Sequence, residues 1–188
     1  MKTLYTSLAL SAALAICAQG AAAQSAPAQG EVTIIGRVAD RCLFTLPSKV
    51  IDLGELALPG SDAGAGRLDP SRVNGASETL EGWCNGTAAT MTVEALPIAN
   101  VSFTTAPPSG FDRVINYTAT ATANAVAGTD TSVTPGAGNA VAVGMFTGTI
   151  PVALDAASTP SGGILVAGDY QGLVLVTLAP NVSFGQPE

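Results

Sequence analysis

The residues in this chain that could do chemistry are 14 carboxylates and three thiols, and there is no histidine. Without an imidazole the sequence cannot build a Ser/His/Asp or Cys/His triad, a histidine general base, or the usual zinc and haem ligand sets. Paired carboxylates could still do acid/base work. The pairs at short spacing are Asp52 with Glu55, Asp62 with Asp69, and Glu78 with Glu81, all on or beside turns. Acidic side chains in such places ordinarily cap the backbone or face solvent. Asp62, Asp69, Asp130, Asp155 and Asp169 could offer oxygens to calcium, but no Asp-x-Asp-x-Asp-Gly loop is present, so neither a metal nor a cofactor is expected. Serine is plentiful, yet no Gly-x-Ser-x-Gly occurs, and the reading is non-enzymatic.

The thiols fix an address. Residues 1–23 have the pattern of a signal peptide, with Lys2, an apolar stretch from Leu4 to Ile16, and Ala21-Ala22-Ala23 before Gln24. That stretch is shorter than the roughly 20 residues needed to span a bilayer, so cleavage is expected over anchoring, with no membrane span in the mature chain. Cys17 follows Leu14-Ala15-Ile16, which departs from a lipoprotein box at Ile16, where a small residue is required. After cleavage two cysteines remain, Cys42 and Cys84, and an exported chain with two thiols most simply joins them. The alternatives are two buried free thiols or a redox pair, the latter without a Cys-x-x-Cys spacing to support it. A net charge of −7 with no basic stripe speaks against nucleic acid as a partner.

Around these residues the elements are short and extended. Gln24–Gly30 is small, polar and proline-containing, a flexible leader before one domain over 31–188. In Glu31–Val38, Val32, Ile34 and Val38 alternate with Glu31, Thr33 and Arg37, which predicts a first strand with one buried face. The same period returns at Met91/Val93/Ala95, at Ile115/Tyr117/Ala119/Ala121, at Phe146/Ile150/Val152/Leu154, and at Tyr170/Val174/Val176/Leu178. Pro151 predicts a sheet edge or a bulge, because it removes a ladder donor. The last strand also carries Leu173 and Leu175 on its second face and so wants a partner beside it. Turn-rich stretches separate the strands at 59–77, 107–110, 123–138 and 158–163. No sustained 3.6-residue period follows residue 24, so the expected class is an antiparallel all-β sandwich of Greek-key type. Trp83, the single tryptophan, precedes Cys84 and either packs beside the disulfide or stacks on a sugar. Four Asn-x-Ser/Thr sequons stand at Asn85, Asn100, Asn116 and Asn181; in so Ser/Thr-rich a chain most are expected by chance, and they matter only in a host that glycosylates.

Read in order, Gly30–Val38, Cys42, Ile51-Asp52-Leu53-Gly54, Cys84, and the closing Ala167–Leu178 with its Gly-x-Tyr resemble subunits of chaperone–usher fimbriae and the related spore-coat-U-like secreted proteins. The resemblance runs from about residue 30 to 178. It implies an immunoglobulin-like sandwich that lacks one strand, is held by a periplasmic chaperone, and is completed by a strand donated from a like subunit. The function implied is that of a non-catalytic structural or adhesive subunit, exported to the periplasm and then to the cell surface. The leader lacks alternating large apolar residues, so a donor strand must draw on Val32, Ile34, Ile35 and Val38, which the family keeps in its own first strand. The tail 179–188, with Val182 and Phe184, offers the opposite outcome, a sandwich closed from within. Such a self-contained module would bind carbohydrate or an envelope component, with Trp83, Phe111, Tyr117 and Tyr170 as its aromatic candidates.

Overall fold

A computed structural model describes residues 29–180. The signal segment with Cys17, most of the leader, Asn181, and the tail with Val182 and Phe184 lie outside the described residues. The chain divides at Arg37 into two units, each taken by itself. The described part of the first, residues 29–37, has no regular secondary structure, and Val32, Ile34 and Ile35 are 86%, 92% and 84% exposed. Val38, which opens the second unit, is also exposed and outside any strand. The first strand expected over 31–38 is therefore not formed. The period-two pattern is real, but a strand is defined by its ladder, and none is formed with these residues among the described ones.

Among the described residues the second unit has ten strands: β1 (Cys42–Leu46), β2 (Ser77–Cys84), β3 (Thr90–Asn100), β4 (Phe111–Asp112), β5 (Val114–Ala123), β6 (Val126–Thr131), β7 (Val141–Ala142), β8 (Phe146–Ser158), β9 (Ile164–Leu165) and β10 (Tyr170–Ala179). Its one helical turn is a 3₁₀ segment at Pro70–Arg72, capped by Asp69. The layers follow from the pairing. One sheet runs β1-β2-β8-β5, the other holds β3 and β10, and β5 joins them where Ile115 and Val114 pair with Ile98 and Ala99. Apart from the parallel β4–β9 pair, all of these pairings are antiparallel. This is the strand order of a constant-type immunoglobulin sandwich, A-B-E-D facing C-F. The place of the seventh strand, beside β10, is unfilled among the described residues.

Alternation decides what lies between the layers. Met91, Val93 and Ala95 on β3, Ile115, Tyr117, Ala119 and Ala121 on β5, and Ile150, Val152 and Leu154 on β8 are all buried, as their period predicts. The run of alanines on β5 leaves room for Tyr117 and Met91 to fill the interior. Cys42 and Cys84 face each other across the β1–β2 ladder, Cα atoms 4.2 Å apart, and form the expected disulfide. Beside it the Asn85 side chain accepts from the Arg41 N–H and donates to the Ala39 carbonyl, so the chain is tied down from Ala39 onward.

Two expectations are corrected. Pro151 lies in β8, a strand paired on both sides rather than at an edge. It sits one residue beyond Val152, the last partner of β5, where a missing donor is cheapest. The stretch 123–138, read as turns, contains β6. Asn124 and Ala125, at φ 49° and 61°, make a tight hairpin turn from β5, and the Asn124 amide donates to the Val143 carbonyl at 2.7 Å. β6 then leans over β3, where the Asp130 carboxylate accepts from Ala95 N–H at 2.7 Å and Gly138 N–H donates to the Val93 carbonyl. A carboxylate and a glycine thus stand in for a ladder along that edge of β3.

At one end of the molecule Asp112 is buried and accepts from Gly163 N–H at 2.7 Å and Ser161 Oγ at 2.8 Å. Burial by itself would raise its pKa, but the hydrogen bonds from Ser161, Gly163 and Thr159 outweigh it and hold the carboxyl below the ordinary value. The lock fixes the β4–β9 pair and, through it, the approach to β10.

Candidate docking groove

β10 runs beside β3 from Tyr170 to Ala179, and no described strand pairs with its other edge. The backbone groups along that edge therefore have no ladder partner. A bulge interrupts the β3 pairing at Gly172, where a Cβ would come within 2.7 Å of Ile98 Cγ1. Only glycine fits so close an approach. The Tyr117 hydroxyl, rising from β5, lies 2.8 Å from the Leu96 carbonyl oxygen and 3.0 Å from that of Leu173 and donates to this pair. Burial, and secondarily the Asp130 carboxylate, push its pKa up to about 12. The tyrosine thus stays neutral and pins the bulge to both strands.

Facing β10 across an opening is the segment 47–57, which follows β1 without forming a strand. Local hydrogen bonds shape it. Asp52 accepts from Gly54 N–H at 3.0 Å, Glu55 accepts from Ala57 N–H at 3.1 Å, and Ala57 bridges to Leu68. Ile51 and Leu53 turn half inward, while Val50 stays 83% exposed. Between this wall and β10 lies a groove of about 1250 Å³. Its floor is apolar, made by Leu80, Ile98, Tyr117, Val152 and Leu154. Val174 and Val176 of β10 also line it and are only half-buried, although they face the core. Charge is confined to a few side chains of its lining, Asp52, Glu55, Glu78 and Asp169 with Lys49.

The residues singled out from the sequence fall into distinct places. Cys42 and Cys84 are joined. Val32, Ile34, Ile35 and Val38 are exposed and unpaired. Trp83 is half-buried on β2, opposite Leu43 and Thr147, and does not line the groove. Of the aromatic candidates, Tyr117 and Tyr170 both line the groove, Tyr117 from the core and Tyr170 with its hydroxyl donating to the Val166 carbonyl at 2.8 Å, whereas Phe111 is on β4 outside the lining. Of the carboxylate pairs, Asp52 and Glu55 cap the groove wall and Asp69 caps the 3₁₀ turn, where Ser71 donates to it, while Glu78 lines the groove. Among the described residues no cluster of three or more acidic or thiol side chains could hold a metal. Sequence reasoning missed the wall at 47–57 as a structural element, since its only local signals are the two short caps. It also missed the Asp112 and Asp130 contacts, which join residues distant in sequence.

Beside the groove the edge of β10 is unpaired among the described residues, and the floor is apolar. Comparison of the chain with protein-family models, with curated proteins and with solved structures finds no match.

Proposed function

We propose that this chain is an exported structural subunit of a fimbria-like or surface-coat assembly, in which segment 31–38 of one copy completes the sandwich of the next. One observation carries the reading: among the described residues β10 has an unpaired edge beside a groove with an apolar floor, and segment 31–38, with alternating apolar side chains, is unpaired too. Eight extended residues span roughly 26 Å, comparable with the length of β10. Val32, Ile34 and Val38 supply apolar groups on one side, with Gly36 between them leaving room over the half-buried valines. The disulfide and Asn85 hold the root of the arm against β2, so a load on the arm passes into a central strand. In this reading a periplasmic chaperone covers the groove until a neighbour's arm replaces it, and the product reaches the cell surface. The role needs edges and faces and no reacting group.

The test is assembly of the exported, full chain. Purified assemblies give ladders in detergent without heating, and Ile34→Asp abolishes them, because a carboxylate cannot enter the apolar floor. A chain that stays monomeric at high concentration, melts at high temperature and gains nothing from an arm peptide would overturn the proposal.

A further inference from the structure

We infer that Ile35 is a second, outer anchor of the exchanged strand, packing on the solvent face of the acceptor's β10 against Leu173 and Leu175. The inference rests on the strand-exchange reading and assigns the one arm residue that breaks its alternation. Between residues 31 and 38, the even positions are Val32, Ile34, Gly36 and Val38, and the odd ones are Glu31, Thr33, Ile35 and Arg37. Ile35 is 84% exposed and apolar, on the face that is otherwise polar.

β10 has the matching irregularity. Its even residues Val174, Val176 and Leu178 are half-buried against the core, whereas Leu173 and Leu175 are 51% and 43% exposed. Leu96, directly opposite Leu173 on β3, is also exposed. Three leucines thus group on an outer face whose other members, such as Glu94 and Thr177, are polar.

Parity links the two irregularities. Side chains directly opposite each other on paired strands share a face, and faces alternate strictly along each strand. Seating Val32, Ile34 and Val38 on the groove side of β10 therefore places Ile35 on the outer face, and in an antiparallel donor, the sense of every ladder in this sheet, Ile35 is level with Leu173 or Leu175 when Ile34 is level with Val174 or Val176. A parallel donor keeps the same face and puts Ile35 level with Leu175 when Ile34 is level with Val174. A slip by one residue would drive Glu31, Thr33 and Arg37 into the apolar floor. The occupant is a second copy of this chain because the complementary pattern is its own arm. Ile35 then opposes a slip from outside while Ile34 anchors from inside.

Assemblies of the full chain provide the test, through their dissociation half-life in detergent at a fixed temperature. Ile35→Thr and Leu175→Thr each shorten it by about two- to fivefold. The double variant dissociates no faster than the faster single one, because both changes delete one contact. Mixing an Ile35→Cys chain with a Leu175→Cys chain under mild oxidation gives a covalent dimer, whereas Ile34→Cys with Leu175→Cys does not. Half-lives unchanged in both single variants, effects that multiply in the double variant, or crosslinking through position 34 would overturn the outer anchor. If Ile34→Asp abolishes assembly while Ile35→Thr and Leu175→Thr behave as the parent, strand exchange stands and this inference alone falls. If Ile34→Asp assembles normally, both fall.

Discussion

Tyr117 is the residue on which the groove depends most. It is 2% exposed, it fills the interior between the layers, and its hydroxyl serves carbonyls on two strands at the bulge. Removing that hydroxyl leaves two partly buried acceptors without their donor, so Tyr117→Phe is expected to cost about 1–3 kcal/mol at neutral pH. The pH dependence has a definite sign. The folded pKa, about 12, is raised above the ordinary 10, so the folded state holds its proton where the unfolded state releases it. Stability from this group is complete below pH 10 and is lost as pH climbs through 12, by roughly 2–3 kcal/mol in all. Denaturant melts between pH 9 and 12 should show that decline in the parent and a flatter profile in Tyr117→Phe. Equal slopes would mean that the hydroxyl is not held as described.

At the scale of elements, β1 is a five-residue edge strand, and its attachment to β2 is covalent as well as hydrogen-bonded. Closing a loop with a sequence separation of 42 stabilises the fold by roughly 4 kcal/mol on the chain-entropy account. Cys84→Ser should therefore lower stability by about that amount. Hydrogen exchange should rise first over 42–46 and the adjoining wall 47–57, before β3 and β5 are touched. Uniform loss of protection would show instead that β1 is not a separable edge. The elements also show what the sequence could and could not reveal. β3, β5 and β8 were legible because one face of each is buried and period two records that directly. β6 was hidden among Gly, Asp and Thr, since its ladder to β5 depends on a hairpin turn made by Asn124-Ala125, which lacks the usual glycine. Segment 31–38 has the pattern of a strand and no ladder. Alternation reports which side chains want cover and is silent on whether the cover comes from the same chain. The apolar second face of β10 was visible as Leu173 and Leu175, but the groove beside it needs the wall at 47–57, whose position is set by contacts such as Ala57 with Leu68 and Asp69 N–H with the Leu56 carbonyl.

At the scale of the domain, the described sandwich has the strand order of an immunoglobulin domain up to β10, whose outer edge is unpaired among the described residues. Val174, Val176 and Leu178 stay only half-buried. A strand that covers them should raise the stability of the whole domain, because a ligand that binds the folded state alone stabilises by mass action. The probe is a peptide spanning residues 29–40, added to full chain carrying Val32→Asp and Ile34→Asp so that no copy can donate. At a hundredfold excess over its dissociation constant the peptide contributes about 2.7 kcal/mol. For a domain of this size that raises the melting temperature by about 5–10 °C. A peptide of the same composition with Val32, Ile34, Ile35 and Val38 gathered into one consecutive run destroys the alternation on both faces, so it should give little or no shift. An equal shift from both peptides would mean that the arm acts as a greasy segment without register. A shift from neither would mean that the edge of β10 is not the place where copies meet.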